Sequence, residues 1–167
     1  MEAVTGTEIQ IRPAEEADHV AICRLLAQAD ELHIGWHPEY FRLPEDGQHR
    51  TLPFLRQWIA HEQSDILLAI DEAGLVGLAM VFIEQPLAFP IIRPEARWVT
   101  VDNLVVDASR RQQGIGSQLL QAVHAWARER GVGELRLKVY ERNEEARQFY
   151  DAQGFTPLSH ELRRKVE

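Results

Sequence analysis

The sequence predicts an α/β (α+β) fold, with a mixed, mostly antiparallel central sheet of about six to seven strands and helices on both faces. Residues 98–120 pass from a β-branched run through a basic, glycine-containing turn into an amphipathic helix. Short runs rich in Val, Ile and Leu, bounded by turn residues, recur along the chain and read as strands. The elements follow the order β-α-α-β-β-β-α-β-α-β. Hairpins supply antiparallel pairs in that order, and one β-α-β crossover runs through the glycine turn.

Residues 8–12 alternate apolar and polar and form a first strand, which Pro13 and Ala14 end. Residues 15–29 form a helix with acids in its first turn and an apolar stripe at Ile22, Leu25, Leu26 and Ala29. Residues 30–50 are the least regular. They hold Trp36, Tyr40, Phe41, His33 and His37, which either line a pocket or pin a loop to the core. His33 and His37 are four apart, as metal ligands on a helix are. Gly35 and Pro38 speak against a regular helix there, no third ligand is indicated, and no metal is expected. Residues 51–62 form a helix with Pro53 in its first turn. Residues 65–71 and 75–84 form a hairpin across Glu72, Ala73 and Gly74, and 85–94, with three prolines, form a loop.

The strand 99–106, the turn 107–116 and a helix ending near Gly131 and Gly133 come next. Residues 134–140 alternate Leu135, Leu137 and Val139 and read as a strand. Residues 143–153 read as a helix, with Asn143 as its cap, Glu144 and Glu145 in its first turn and Gly154 just past its end. Residues 155–162 are expected to form a last strand. With no repeat and no linker, 1–167 is read as a single domain.

The net charge of −8 argues against non-specific nucleic-acid binding, which rests on a basic surface. It mildly favours a cationic partner. No apolar run reaches the roughly 20 residues of a membrane span. The start, MEAVTGTEIQ, has neither the basic region nor the apolar core of a signal peptide. The single cysteine, Cys23, excludes an internal disulfide and fits a reducing compartment, so a cytoplasmic location is expected.

A strand feeding a basic glycine turn that opens a helix is an anion site. The first helical turn offers free N–H groups and the positive end of the helix dipole. The run Arg111-Gln112-Gln113-Gly114-Ile115-Gly116 lacks the lysine of a P-loop and the third glycine of a dinucleotide fingerprint. It matches the Arg/Gln-x-x-Gly-x-Gly/Ala signature of the GNAT superfamily of acyl-CoA-dependent N-acyltransferases. A second segment, Asn143-Glu-Glu-Ala146-Arg-Gln-Phe149-Tyr150-Asp-Ala-Gln-Gly154-Phe155, resembles that superfamily's Asn-x-x-Ala-x-x-Phe-Tyr-x-x-x-Gly-Phe stretch, in the right order after a strand.

The resemblance implies a GNAT-like fold and transfer of the acetyl group of acetyl-CoA, the cosubstrate, to a primary amine by direct attack in a ternary complex. It implies that Arg111, Gln112, Gln113, Gly114, Ile115, Gly116 and Ser117, with Arg110 as a further cation, hold the pyrophosphate. Leu104, Val105 and Val106 would pair their backbone with the pantetheine arm and supply an N–H for the developing oxyanion. Asn143 would reach the thioester region or serve as a plain helix cap. Tyr150 is the candidate general acid, a phenol that keeps its proton at neutral pH, with Tyr140 as an alternative.

The family often uses a strand carboxylate as base, which makes Asp102 and Glu84 candidates. Side-chain alternation puts Asp102 on a face with Thr100 and Leu104, and Asn103 with Val105. Residues 30–41 are expected to line the amine acceptor's pocket. A homodimer is a further expectation. Rival readings are a non-catalytic acyl-CoA-binding or sensing module, an enzyme for a longer acyl-CoA, and a nucleotide-binding domain of another kind.

Overall fold

The computed structural model describes residues 8–166. Its sheet has five strands in the order β1 (Gln10–Pro13), β2 (Ser64–Asp71), β3 (Gly74–Glu84), β4 (Trp98–Val106) and β5 (Leu135–Leu137). The first three pairings are antiparallel and β4–β5 is parallel. Helices α1 (His19–Trp36) and α2 (Leu52–Ala60) connect β1 to β2. Helix α3 (Ile115–Glu129) lies in the crossover from β4 to β5, and α4 (Glu144–Ala152) follows β5.

The alternation of β2 explains the layering. Ile66 and Leu68 pack with Ile22, Leu25, Leu26 and Leu55 of α1 and α2. Leu67 and Ala69 pack with Leu119, Val123 and Trp126 of α3. A strand buried on both faces reads as a continuous apolar run, and β3 is buried in the same way. Asp65 ties the two layers together: its carbonyl accepts from Trp58 Nε1 at 3.1 Å and its carboxylate from Trp126 Nε1 at 3.1 Å. Gly77 lets α3 sit close, since a Cβ there would meet Leu119 Cδ1 at 3.0 Å and Ile115 Cγ2 at 3.1 Å.

Strand β4 carries a bulge. Val101 pairs with Val81 and Asn103 with Met80, so Asp102 has no partner on β3. The extra residue shifts the phase of the strand. Val99 and Val101 face α3, and beyond the bulge Leu104 and Val106 do so, while Val105 faces α1. The expected uninterrupted alternation therefore fails. Thr100 lies opposite Phe82, whose ring packs on Trp58 of α2, so Thr100 and Leu104 lie on opposite faces.

Three further expectations are corrected. The strand expected over 134–140 is only Leu135–Leu137. The strand expected over 155–162 does not form: Pro157 removes a donor, and Leu158 and Leu162 point into solvent with no neighbouring strand. Among the described residues the sheet thus has five strands, not six or seven. Helix α1 runs past residue 29 through Gly35 to Trp36. An interior glycine costs a helix roughly 1 kcal/mol, and packing of His33 and Trp36 on each other and on neighbouring rings offsets it. The helix stops at His37, whose successor is Pro38.

Substituting Gly77→Val forces γ-carbons into the α3 contact. It should cost about 1–3 kcal/mol, read as a lower urea midpoint with an unchanged slope.

Candidate functional site

Pairing between β4 and β5 covers only Val99–Leu135, Thr100–Arg136 and Val101–Leu137. It stops where the bulge begins, and beyond it the β5 side of β4 is open. The direction of the backbone groups along this stretch follows from two bonds. Asp107 N–H donates to Val76 O on β3 at 2.9 Å. Val106 O, one residue earlier, instead accepts from Arg111 Nε at 3.4 Å. Alternation then directs the N–H and C=O groups of Leu104 and Val106 to the open edge, and those of Val105 to Leu78 on β3. Of the three residues assigned to the pantetheine arm from sequence, Leu104 turns its N–H and C=O to the open edge, Val106 turns its N–H there with its C=O taken by Arg111, and Val105 turns neither.

The open edge leads into the glycine turn. Gly114 is the cap of α3 at φ +80°, and Gln112 has φ +60°, so the chain twice adopts the left-handed region. The first intrahelical bond is Gln118 N–H to Gly114 O at 3.1 Å. The amides of Ile115, Gly116 and Ser117 precede it and have no acceptor among the described residues. They lie at the positive end of a 15-residue helix dipole. The two glycines have different causes. Gly114 is required by its backbone angle. At Gly116 a Cβ would meet Phe149 Cζ at 3.1 Å, so that glycine admits a side chain of α4. Ile115 is core through its side chain, and Ser117 Oγ accepts from Gln153 Nε2 at 3.0 Å.

Neither arginine of the turn is unpaired. Arg110 bonds the fully enclosed carboxylate of Asp71 at the end of β2, and its Nε reaches Gln113 Oε1 at 3.0 Å. It is therefore engaged as an internal strut. Arg111 is more loosely held, 3.5 Å from Glu145. Helix α1 anchors the turn from the other side. Gln28 Nε2 donates to Asp107 Oδ2 at 3.2 Å and its Oε1 accepts from Ala108 N–H at 3.0 Å. The Ser109 hydroxyl and amide hold the Asp107 carboxyl below its usual range, helped by Gln28 and Arg24. Asp71 and Gln28 carry no local sequence signal, because their partners lie 39 and 79 residues away.

Tyr150 packs between Phe149 and Phe155, and burial pushes its phenol up to about 12. Its hydroxyl has no hydrogen-bond partner among the described residues. Phe149 links it to Gly116 and hence to the turn. Asn143 caps α4, its Oδ1 accepting from Ala146 N–H at 3.1 Å. The two strand carboxylates are not brought together. Asp102 is exposed and accepts from Asn103 Nδ2 at 2.6 Å. Glu84 lies opposite Trp98, four residues or roughly 13 Å along β4, and accepts from Thr100 Oγ1 at 2.7 Å and Trp98 Nε1 at 3.2 Å.

The end of α1 gathers a ring cluster. Tyr140 lies 5.2 Å from His33, 5.0 Å from His37 and 6.1 Å from Phe41, centroid to centroid. Burial lowers the His33 pKa below its ordinary value. Arg163 closes over the outer side, bonding Glu39 Oε1 at 2.6 Å and the Tyr40 hydroxyl at 3.3 Å. Phe41 also walls a neighbouring cavity of about 230 Å³, where His49 Nδ1 meets Asp30 Oδ2 at 2.7 Å. The sequence pointed to 30–41 as a lining segment but gave no sign that Tyr140 and Arg163 join it.

The family model described as the Acetyltransferase (GNAT) family matches residues 27–155. Over 92 residues the chain is 30% identical to a [ribosomal protein bS18]-alanine N-acetyltransferase of Haemophilus ducreyi. That match covers 54% of this chain and 63% of that enzyme, so the chain spans under two thirds of its length. Among solved structures, the tetramutant of the BH1408 protein from Bacillus halodurans has a TM-score of 0.87 at 25% identity, covering 94% of this chain and 99% of that one. The aminoglycoside N-acetyltransferase AAC(6')-Iy, in complex with CoA, has a TM-score of 0.70 at 18% identity over 99% of both chains. No helix among the described residues is long and apolar enough to cross a membrane.

Because the folded Asp107 pKa lies below the usual carboxylate value, its stabilisation is complete above about pH 4 and fades as pH falls further. Urea midpoints of Asp107→Ala should therefore lie below wild type near neutral pH and converge on it in acid.

Proposed function

The chain belongs to the GNAT acetyltransferase family, and from that premise we propose that it moves the acetyl group of acetyl-CoA to a primary amine by direct attack in a ternary complex. One observation carries the reading most. The open backbone edge at Leu104 and Val106 runs straight into a glycine turn that ends in the amides of Ile115, Gly116 and Ser117, which have no acceptor among the described residues. A pantetheine arm needs backbone partners of the strand kind, and a pyrophosphate needs convergent N–H groups and a cation. Both lie in sequence along one track, with the lengths of chain between them short.

On this reading the amides of Gln112, Gln113, Gly114, Ile115, Gly116 and Ser117 cradle the pyrophosphate, and Arg111 swings from Glu145 to it. Arg110 contributes by holding the turn from Asp71. The Leu104 N–H is the donor for the charge that grows on the thioester oxygen. Asn143 acts through its cap, fixing the start of α4. Tyr150 stays protonated throughout the neutral range, because its pKa is raised to about 12. It gives a hydrogen bond to the sulfur and transfers its proton as the C–S bond breaks.

The acceptor lies at the cluster on the end of α1. Aromatic faces suit a cationic amine, and the net charge of −8 draws one in. The named relatives act on amines of two kinds, an aminoglycoside and a protein alanine. An assay of thiol release should therefore begin with one amine of each kind.

Calorimetry with acetyl-CoA and with free CoA should show micromolar-range binding of both, and none of NAD. Gly114→Asp keeps a residue type that tolerates positive φ and places a negative charge in the cradle; it should weaken CoA binding at least tenfold while leaving the unfolding midpoint near wild type. Equal CoA affinity in that variant would remove the loop assignment. Tyr150→Phe should lower kcat by roughly a hundredfold with CoA affinity preserved, measured by thiol release at saturating acetyl-CoA.

A further inference from the structure

We propose that His33, on the last turns of α1, takes the proton from the acceptor nitrogen as it attacks the thioester. This rests on the reading above and supplies the base that the strand carboxylates leave undefined. The placement comes from register. Val101 and Leu137 are the last pair of the parallel β4–β5 ladder. Leu104 lies three residues beyond Val101, and Tyr140 three beyond Leu137. Each advance spans at most roughly 10 Å, so Leu104 and Tyr140 both lie within that reach of the point where the ladder ends, one on each side of the gap. The His33 ring is 5.2 Å from that of Tyr140. Helix α1 thus delivers an imidazole to the mouth of the gap in which the acyl group would lie.

The nitrogens of His33 are free to act. Neither has a hydrogen-bond partner among the described residues, and neither is sealed from solvent, since His37 Nδ1 is the one enclosed unpaired side-chain nitrogen or oxygen there. His37 is a poorer base for that reason. Its Nδ1 is enclosed, with Glu39 Oε1 3.5 Å away. The charges acting on His33 are Asp30 on α1, His37 at its C-terminal cap and Arg50 on the following loop; Arg142, in the segment before α4, lies beside Trp36 O. Burial is the largest influence and lowers the His33 pKa; His37 and Arg50 act the same way, and Asp30 opposes them. The ring is therefore neutral at physiological pH and able to accept a proton. Asp102, by contrast, is exposed and bonded to Asn103, and Glu84 is held by Thr100 and Trp98.

The step balances. The acceptor, drawn in as a cation, first releases one proton to solvent; the neutral amine then forms its N–C bond to the carbonyl carbon, and its nitrogen becomes cationic and acidic again. His33 takes that proton. The C–S bond breaks with its electron pair on sulfur, which receives the Tyr150 proton. Solvent then exchanges the proton on His33 for the one missing on Tyr150, and the products are the amide and the free thiol.

The test measures kcat against pH by thiol release, with butylamine in excess, kanamycin and an N-terminal alanine peptide as acceptors. Wild type should lose activity as pH falls through a value below the usual 6.5 of histidine. His33→Gln should lower kcat about a hundredfold and erase that acid limb. His37→Gln should keep the limb. Calorimetric CoA affinity, unchanged in both variants, reports an intact fold, and His33→Asn serves as a second variant if His33→Gln fails that check. A wild-type limb in a folded His33 variant would falsify the assignment. Turnover of none of the three amines by wild type that binds CoA overturns it as well. Failure of wild type to bind CoA sinks the cofactor reading itself, which the calorimetry shows separately.

Discussion

The bulge at Asp102 is the constraint from which the site follows. Strand β4 must bond β3 along its whole length, bond β5 over its first half, and leave its second half open. One unpaired residue does this. It rotates the strand so that Val99 and Val101 sit under α3 while Val105 sits under α1. Each buried valine contributes roughly 1.5–3 kcal/mol relative to exposure, so the two cores hold the phase shift from opposite sides. The extra twist a bulge brings carries β4 away from the continuation of β5. The ladder ends at Val101 and Leu137, and the gap opens there.

The glycine turn at the end of β4 is fixed from three directions. Asp71 holds Arg110 from the end of β2, Gln28 holds Asp107 and Ala108 from α1, and Phe149 fills the space over Gly116 from α4. A buried ion pair such as Asp71–Arg110 gains little net stability, because desolvation opposes the Coulomb term. Its effect is geometric: it sets the direction of a loop whose value lies in the aim of its amides. Preorganised amides need no rearrangement when an anion arrives, which is where such sites gain their affinity.

The protein as a whole is acidic, yet the cosubstrate of its family is a polyanion. Local geometry resolves the conflict. Helix dipole, free amides and Arg111 act within a few ångströms, whereas the dispersed negative charge is screened over about 10 Å in ordinary salt. The same field favours a cation at the opposite end of the gap, where α1 ends among imidazoles and aromatic rings. Helix α1 therefore serves both ends of the track, with Gln28 at the turn and His33 at the mouth.

Much of this was legible in the residues. Apolar runs at 65–71 and 75–84 separated by a short turn, the helical stripe after Gly114 and the Asn143 cap are local patterns, and local patterns survive folding when the core agrees with them. The glycine turn and the Asn143–Phe155 segment were legible for the same reason. Tertiary structure alone decided the rest. The phase of β4 depends on which side chains α1 and α3 bring to it, so the bulge has no signature within 98–106. Arg110 reads as a free cation until Asp71, far away in the chain, is placed against it. Residues 155–162 resemble a strand, but a strand needs a neighbour's N–H and C=O groups, and none is offered there. Helix α1 passes Gly35 because ring packing at its end outweighs a local cost of about 1 kcal/mol. Sequence set the elements and the glycine-rich backbone of the turn; contacts between residues distant along the chain set where each element stops and which side chains meet at the gap.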